Sequence, residues 1–268
     1  MVYIPPNVSI PRLTAYLTAD LSSAELEVIH QAFELGACSR FNPSVELHIQ
    51  NVPSFHNLTH AAIRRAEDTA GRKGGFLIID AATPSNGAVW YIDCFASQDQ
   101  VDDGEAESTN VLWKIHMKTE HVPGMWVNYD IANMSIEEDL GNCGVDSPVE
   151  EDFEQPEIYD LGASESWIRD QQWHQAVWIT AEPGEFEESM DEDLRRNFMP
   201  RPERVARLKE DVARDAGLLN GWTIPTPARE RRLPDGGLKT FPEGSVVLQL
   251  RYNPEFDWPR YRRLEGSL

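Results

Sequence analysis

The chain has 268 residues, 41% of them hydrophobic and 26% charged, enough to bury one large core or two small ones. Its 45 Asp and Glu against 24 Lys and Arg give a net charge of −21, and a pI near 4.6 argues against non-specific nucleic-acid or anionic-membrane binding. No apolar run approaches the ~18 residues of a membrane helix, and Met1 to Pro11 lacks the basic and apolar regions of a secretory signal.

In chain order, Leu13 to Thr18 reads as a strand. Ser22 or Ser23 then caps a helix whose Leu26, Ile29 and Phe33 share one face, and Gly36 is expected to end it in the left-handed conformation. Val45 to Gln50 is a second strand, stopped by Pro53. Asn57 or Thr59 opens a short helix through Arg65. The apolar runs Phe76 to Ile79 and Ala88 to Phe95 predict strands covered on both faces, and the turn-rich Thr83 to Gly87 between them predicts a hairpin. Val111, Trp113, Ile115 and Met117 alternate with Leu112, Lys114, His116 and Lys118 as in a half-buried strand, with His116 on the less apolar face.

Charge then divides the chain. Residues 1–194 hold 9 basic and 35 acidic side chains, a net of −26, while residues 195–268 hold 15 and 10, a net of +5. From Glu137 to Glu165 there are eleven carboxylates and no Lys or Arg. Such self-repulsion predicts a solvated linker at 142–164, between a sheet domain at 1–141 and a C-terminal region at 165–268. That region carries the Trp-dense patch Trp167, Trp173 and Trp178, a helix expected over Arg201 to Ala216, and a last strand at Val246 to Tyr252. Arg195, Arg196, Arg201, Arg204 and Arg207 form a basic cluster expected to dock on the acidic surface of the same chain or of a second copy, as in a homodimer.

The order of strand, Asp20, capped helix, strand, Pro53, Phe55, Leu58-Thr59 and helix continues through Phe76-Leu77-Ile78-Ile79-Asp80 and Val89-Trp90-Tyr91-Ile92-Asp93. It closes with Met125-Trp126-Val127-Asn128, Ile131-Ala132-Asn133-Met134 and Glu137-Glu138. This pattern resembles a family of small α+β domains of unknown function over Leu13 to Leu140. Ala-Asn-Met followed by acidic residues is its most specific element, and the acidic insert at Ser97 to Asn110 departs from it. The resemblance implies a fold and transfers no catalytic residue.

Three cysteines, Cys38, Cys94 and Cys143, are odd in number and widely spaced, which reads as free thiols in a reducing, cytoplasmic setting. His56 and His60 have the spacing of a helical zinc pair, but no third ligand lies nearby, and the acidic stretch Asp99 to Glu107 fails the ligand pattern of a calcium loop. No metal and no cofactor is expected. Phosphate-binding loops, dinucleotide fingerprints and serine-nucleophile elbows are absent from the sequence. Cofactor-free proton transfer leaves no such fingerprint, and several residues suit it. Asp80 and Asp93 sit in or at the end of apolar strands, where partial desolvation raises a carboxyl pKa. His116 and His174 titrate near neutrality. Trp113, Trp126, Trp173 and Trp178 can line a pocket, and Asn128 and Asn133 can orient a substrate carbonyl.

The expectation is an α+β fold, with a mixed or antiparallel sheet flanked by short helices and the Trp-rich C-terminal region packed on it. The expected function is a cofactor-independent acid–base enzyme of isomerase, cyclase or lyase type. It would act on a small apolar or aromatic metabolite in a Trp-lined pocket, with Asp93, His116, Asp80 and His174 moving protons. The alternative is a non-catalytic acidic protein that binds a basic partner.

Overall fold

The structure is a computed structural model that describes residues 2–5, 10–37, 43–162, 176–233, 237–253, 255–257, 263 and 266–268. The fold is α+β and forms two compact units, one of residues 10–164 with 261–268 and one of residues 1–9 with 165–260. The division at 164/165 is where the C-terminal region was expected to begin, residues 142–164 fall within the sheet unit, and the C-terminal tail groups with that unit.

The sheet unit is built on five strands: β1 (Arg12–Leu17), β2 (Glu46–Asn51), β3 (Phe76–Ile79), β4 (Ala88–Phe95) and β5 (Leu112–Lys118), in the order β2-β1-β3-β4-β5. β1 runs parallel to both β2 and β3, and β3, β4 and β5 are antiparallel. The connection from β1 to β2 carries helix α1 (Ser23–Gly36). The connection from β2 to β3 carries α2 (His60–Thr69) and passes over β1. Right-handed crossovers that step in opposite directions place their helices on opposite faces. Burial agrees: Ile29 and Phe33 of α1 pack with Leu13, Ala15 and Leu17, whereas Ile63 of α2 packs with Tyr16, Phe76 and Ile78.

Ser22 starts α1 through a capping box. Its Oγ accepts from the Glu25 amide at 3.3 Å and Glu25 Oε2 accepts from the Ser22 amide at 2.7 Å. Gly36 does not end the helix as expected. It is helical, the cap is Ala37 with φ −77°, and a Cβ on Gly36 would lie 1.9 Å from the Glu120 carbonyl oxygen. The glycine is there for close approach, not for a left-handed turn.

The acidic segment is no free linker. Cys143, Val145, Val149, Phe153 and Tyr159 are buried in the same core as α1, α5 (Val122–Asp130) and α6 (Ile136–Asn142), while Asp146, Glu150, Glu151, Asp152, Glu154, Glu157 and Asp160 stay exposed. Widely spaced apolar side chains anchor the segment and its carboxylates remain hydrated, so charge density alone misjudged it. The segment also closes the free edge of β5. The His116 amide donates to Gln155 Oε1 at 2.7 Å, and the Tyr159 amide donates to the His116 carbonyl at 2.8 Å. At the opposite edge the Ile49 amide donates to Ser267 Oγ at 3.0 Å. Covered edges remove the templates on which sheets aggregate.

In the second unit β6 (Ala176–Ala181) pairs with β12 (Val246–Arg251), which also pairs with β9 (Thr226–Pro227). β10 (Glu230–Arg232) pairs with β11 (Leu238–Thr240). The helix expected over Arg201 to Ala216 is absent. Val205–Leu208 is strand β8, paired with β7 (Phe186–Ser189), and only Glu210–Asp215 is helical. The spacing of Val205, Leu208 and Val212 suits a helix, but opposite charges across the hairpin favour the strand: Arg204 pairs with Glu188 and Arg207 with Glu187. Arg201 and Arg196 pair with Glu192 and Asp193 of the same unit.

Candidate functional site

On the face of the sheet that carries α2, strand alternation presents Trp90 and Ile92 from β4 and Leu112, Lys114 and His116 from β5. The register sets Trp90 opposite His116 and Ile92 opposite Lys114. Directly paired side chains stand about 5 Å apart, so the two rings stack. Their centroids are 4.6 Å apart and their planes differ by 8°. α2 delivers a second imidazole. Thr59 Oγ1 accepts from the Ala62 amide at 3.2 Å and fixes the helix start, and the His60 ring lies 5.2 Å from Trp90. Lys114 Nζ sits 5.3 Å from the Trp90 ring centroid and 5.3 Å from that of Phe153.

His60 and Lys114 open into a cleft of about 700 Å³, lined also by Leu112, Arg65, Glu151 and Asp152. The cleft is of mixed charge. Arg65 lies over the Phe95 ring at 4.8 Å, and Glu151 is held by Ser108 and Asn110, whose hydrogen bonds lower its carboxyl pKa. Burial pushes His60 down to about 4, helped by the positive charge of Lys114. Burial likewise lowers His116 and Lys114, opposed at Lys114 by Asp152. Both imidazoles therefore favour the neutral form, able to accept a proton. His116 Nε2 is buried and has no hydrogen-bond partner among the described residues.

The residues expected from sequence are only partly brought together. Asp93 is raised by burial, with Glu137 adding to the shift, as its apolar strand suggested. It lies at the β4 irregularity beyond Ile92, three residues from Trp90, or about 10 Å along a strand. Its charged neighbours are Glu137 and Arg64, whereas those of His116 are Asp80 and Lys118. The expected meeting of Asp93 with His116 does not occur. Asp80 is a turn residue: its Oδ1 accepts from the Ala82 and Thr83 amides at 2.9 and 3.0 Å and starts the one-turn helix α3 (Thr83–Asn86). Its charge still favours protonation of His60 and His116.

Trp113 is buried in the core on the α1 side of the sheet, where its indole donates to Gln100 Oε1 at 3.1 Å, and Trp126 packs on that core. Asn133 donates through Nδ2 to Asn128 Oδ1 at 3.1 Å in the turn after α5. None of these four lines the cleft. Trp178 is 50% exposed on β6 of the second unit, and Trp173 and His174 lie outside the described residues. His56 Nε2 donates to Asn51 Oδ1 at 3.0 Å, while the His60 ring packs near Trp90. Sequence reading missed His60 as a base, and Trp90 and Lys114 altogether. Period-two alternation places each on a face, but only the β4–β5 register brings them together.

Comparison with family models, curated proteins and solved structures returns no match to this chain.

Proposed function

We propose that the sheet unit is a cofactor-independent acid–base enzyme of isomerase, cyclase or lyase type, acting on a small metabolite in the cleft beside His60 and Lys114. The observation that carries this reading is the convergence of His60, Lys114 and His116 on the single indole of Trp90. Burial lowers the pKa of all three, which keeps each in its unprotonated form, with a free lone pair, more of the time. Leu58, Ala61 and Leu112 offer an apolar wall, and Arg65 offers a cation for a polar end of the substrate. The proton-moving role belongs to His60, with His116 and Trp90 as the platform that positions it, and Asp93 takes no part.

The test is exchange of carbon-bound protons α to a carbonyl, followed by NMR in heavy water with small aromatic aldehydes and ketones. His60→Gln should slow exchange by on the order of 10²–10⁴, the usual loss when a general base is removed. Equal rates in the wild type and His60→Gln sink the reading.

A second reading has its own support. The exposed carboxylates of the segment Asp146 to Asp160 form an acidic ridge on a firmly packed base, which suits a basic partner protein. Salt-sensitive capture of a polylysine peptide by the wild type, weakened when Glu150, Glu154 and Glu157 become Gln, would favour it over the enzyme.

A further inference from the structure

We propose that the Lys114 amine forms an imine with the carbonyl carbon of a small aldehyde or ketone bound in the cleft. This rests on the acid–base reading of the same site and names its substrate class.

The chain has five lysines, and their settings differ. Lys73 pairs with Asp68, Lys118 donates to the Asn86 carbonyl at 2.9 Å, Lys239 lies over Tyr3 in the other unit, and Lys209 is exposed. Lys114 is half-buried, lines the cleft, and makes no ion pair or hydrogen bond with another described residue. Its Nζ lies 5.3 Å from the ring centroids of both Trp90 and Phe153. No described carboxylate lies within ion-pair distance of its amine, and partial desolvation outweighs the opposing charge of Asp152, so a free lone pair is available more often than at an exposed lysine.

The chemistry balances without an oxidant or cofactor. Nζ attacks the carbonyl carbon and gives a carbinolamine. Loss of one water, made of the former carbonyl oxygen and two protons, leaves the imine. Once protonated, the imine nitrogen draws electrons from the adjacent carbon, whose proton becomes acidic. The neutral His60 ring, on the same indole, accepts that proton. Reprotonation at another position isomerises the substrate, and hydrolysis returns the lysine.

The experiment uses the full chain, 3-phenylpropanal and cyanoborohydride at neutral pH, with peptide mapping of the adducts. The expected result is one phenylpropyl group on Lys114 before Lys73, Lys118, Lys209 or Lys239 is modified. Labelling that follows exposure, with Lys209 first and Lys114 late, overturns the proposal. The α-proton exchange of the same aldehyde separates this idea from the reading beneath it. Selective labelling of Lys114 without catalysed exchange supports the imine and removes the proton-transfer role of His60. Exchange that persists in Lys114→Arg, at unchanged melting temperature, keeps the acid–base reading and overturns the imine.

Discussion

At Gly36 the usual sign of a helix substitution reverses. Replacing a helical glycine by alanine normally stabilises by up to ~1 kcal/mol. Here the added Cβ would meet the Glu120 carbonyl oxygen at 1.9 Å, a backbone atom that cannot swing away. Gly36→Ala should therefore destabilise by about 1–3 kcal/mol, as overpacking does, in a urea titration. An unchanged or raised midpoint would show that the α1 and Glu120 backbones are not in contact.

His60 carries a pH signature with a definite sign. Its folded pKa of about 4 lies below the ordinary histidine value of 6.5. Between the two values the unfolded chain binds more protons, so stability rises with pH and is lost as pH falls through that window. The wild type should lose more stability than His60→Gln between pH 6.5 and 4, while the two curves run parallel above pH 7. Parallel curves throughout would mean that His60 is solvated and is not held against Trp90.

Among the elements, those with strong local chemistry were legible. The Ser22–Glu25 box, the Thr59 cap and the alternation through β5 each announce themselves within a few residues. Two elements were not legible, for opposite reasons. Val205–Leu208 has helical spacing but is decided by tertiary burial of Val205, Ala206 and Leu208 and by its ladder with β7, which no window of sequence displays. The acidic segment has the composition of a linker but is decided by Val149, Phe153 and Tyr159, spaced widely enough to escape any period. The site belongs to the same class of information, because Trp90, Lys114 and His60 meet through strand register and a helix crossover. The segment makes a prediction of its own. Phe153→Ala should cost about 3–5 kcal/mol, the range for a buried phenylalanine. The amides of His116, Lys118 and Tyr159, which bridge the segment and β5, should exchange slowly in the wild type and fast in the variant. Fast exchange at Tyr159 in the wild type would return the segment to the status of a linker.

Across the whole molecule, acidity is distributed as a hydrated surface over a conventional apolar core. The charge of −21 gives no information about the fold. What distinguishes the sheet unit is a set of basic side chains from α2 and β5 around one indole, beside a cleft of about 700 Å³. The central claim is that this cleft, and not the Asp93 end of β4, is where a small molecule binds. Native mass spectrometry of the full chain purified from its own host tests it, with the wild type, Asp93→Asn and Asn110→Trp compared at equal melting temperature. Asn110 is an exposed cleft-lining residue, so the indole should fill the space. The account predicts a retained small molecule in the wild type and Asp93→Asn and its loss from Asn110→Trp. Retention in Asn110→Trp with loss from Asp93→Asn would contradict it.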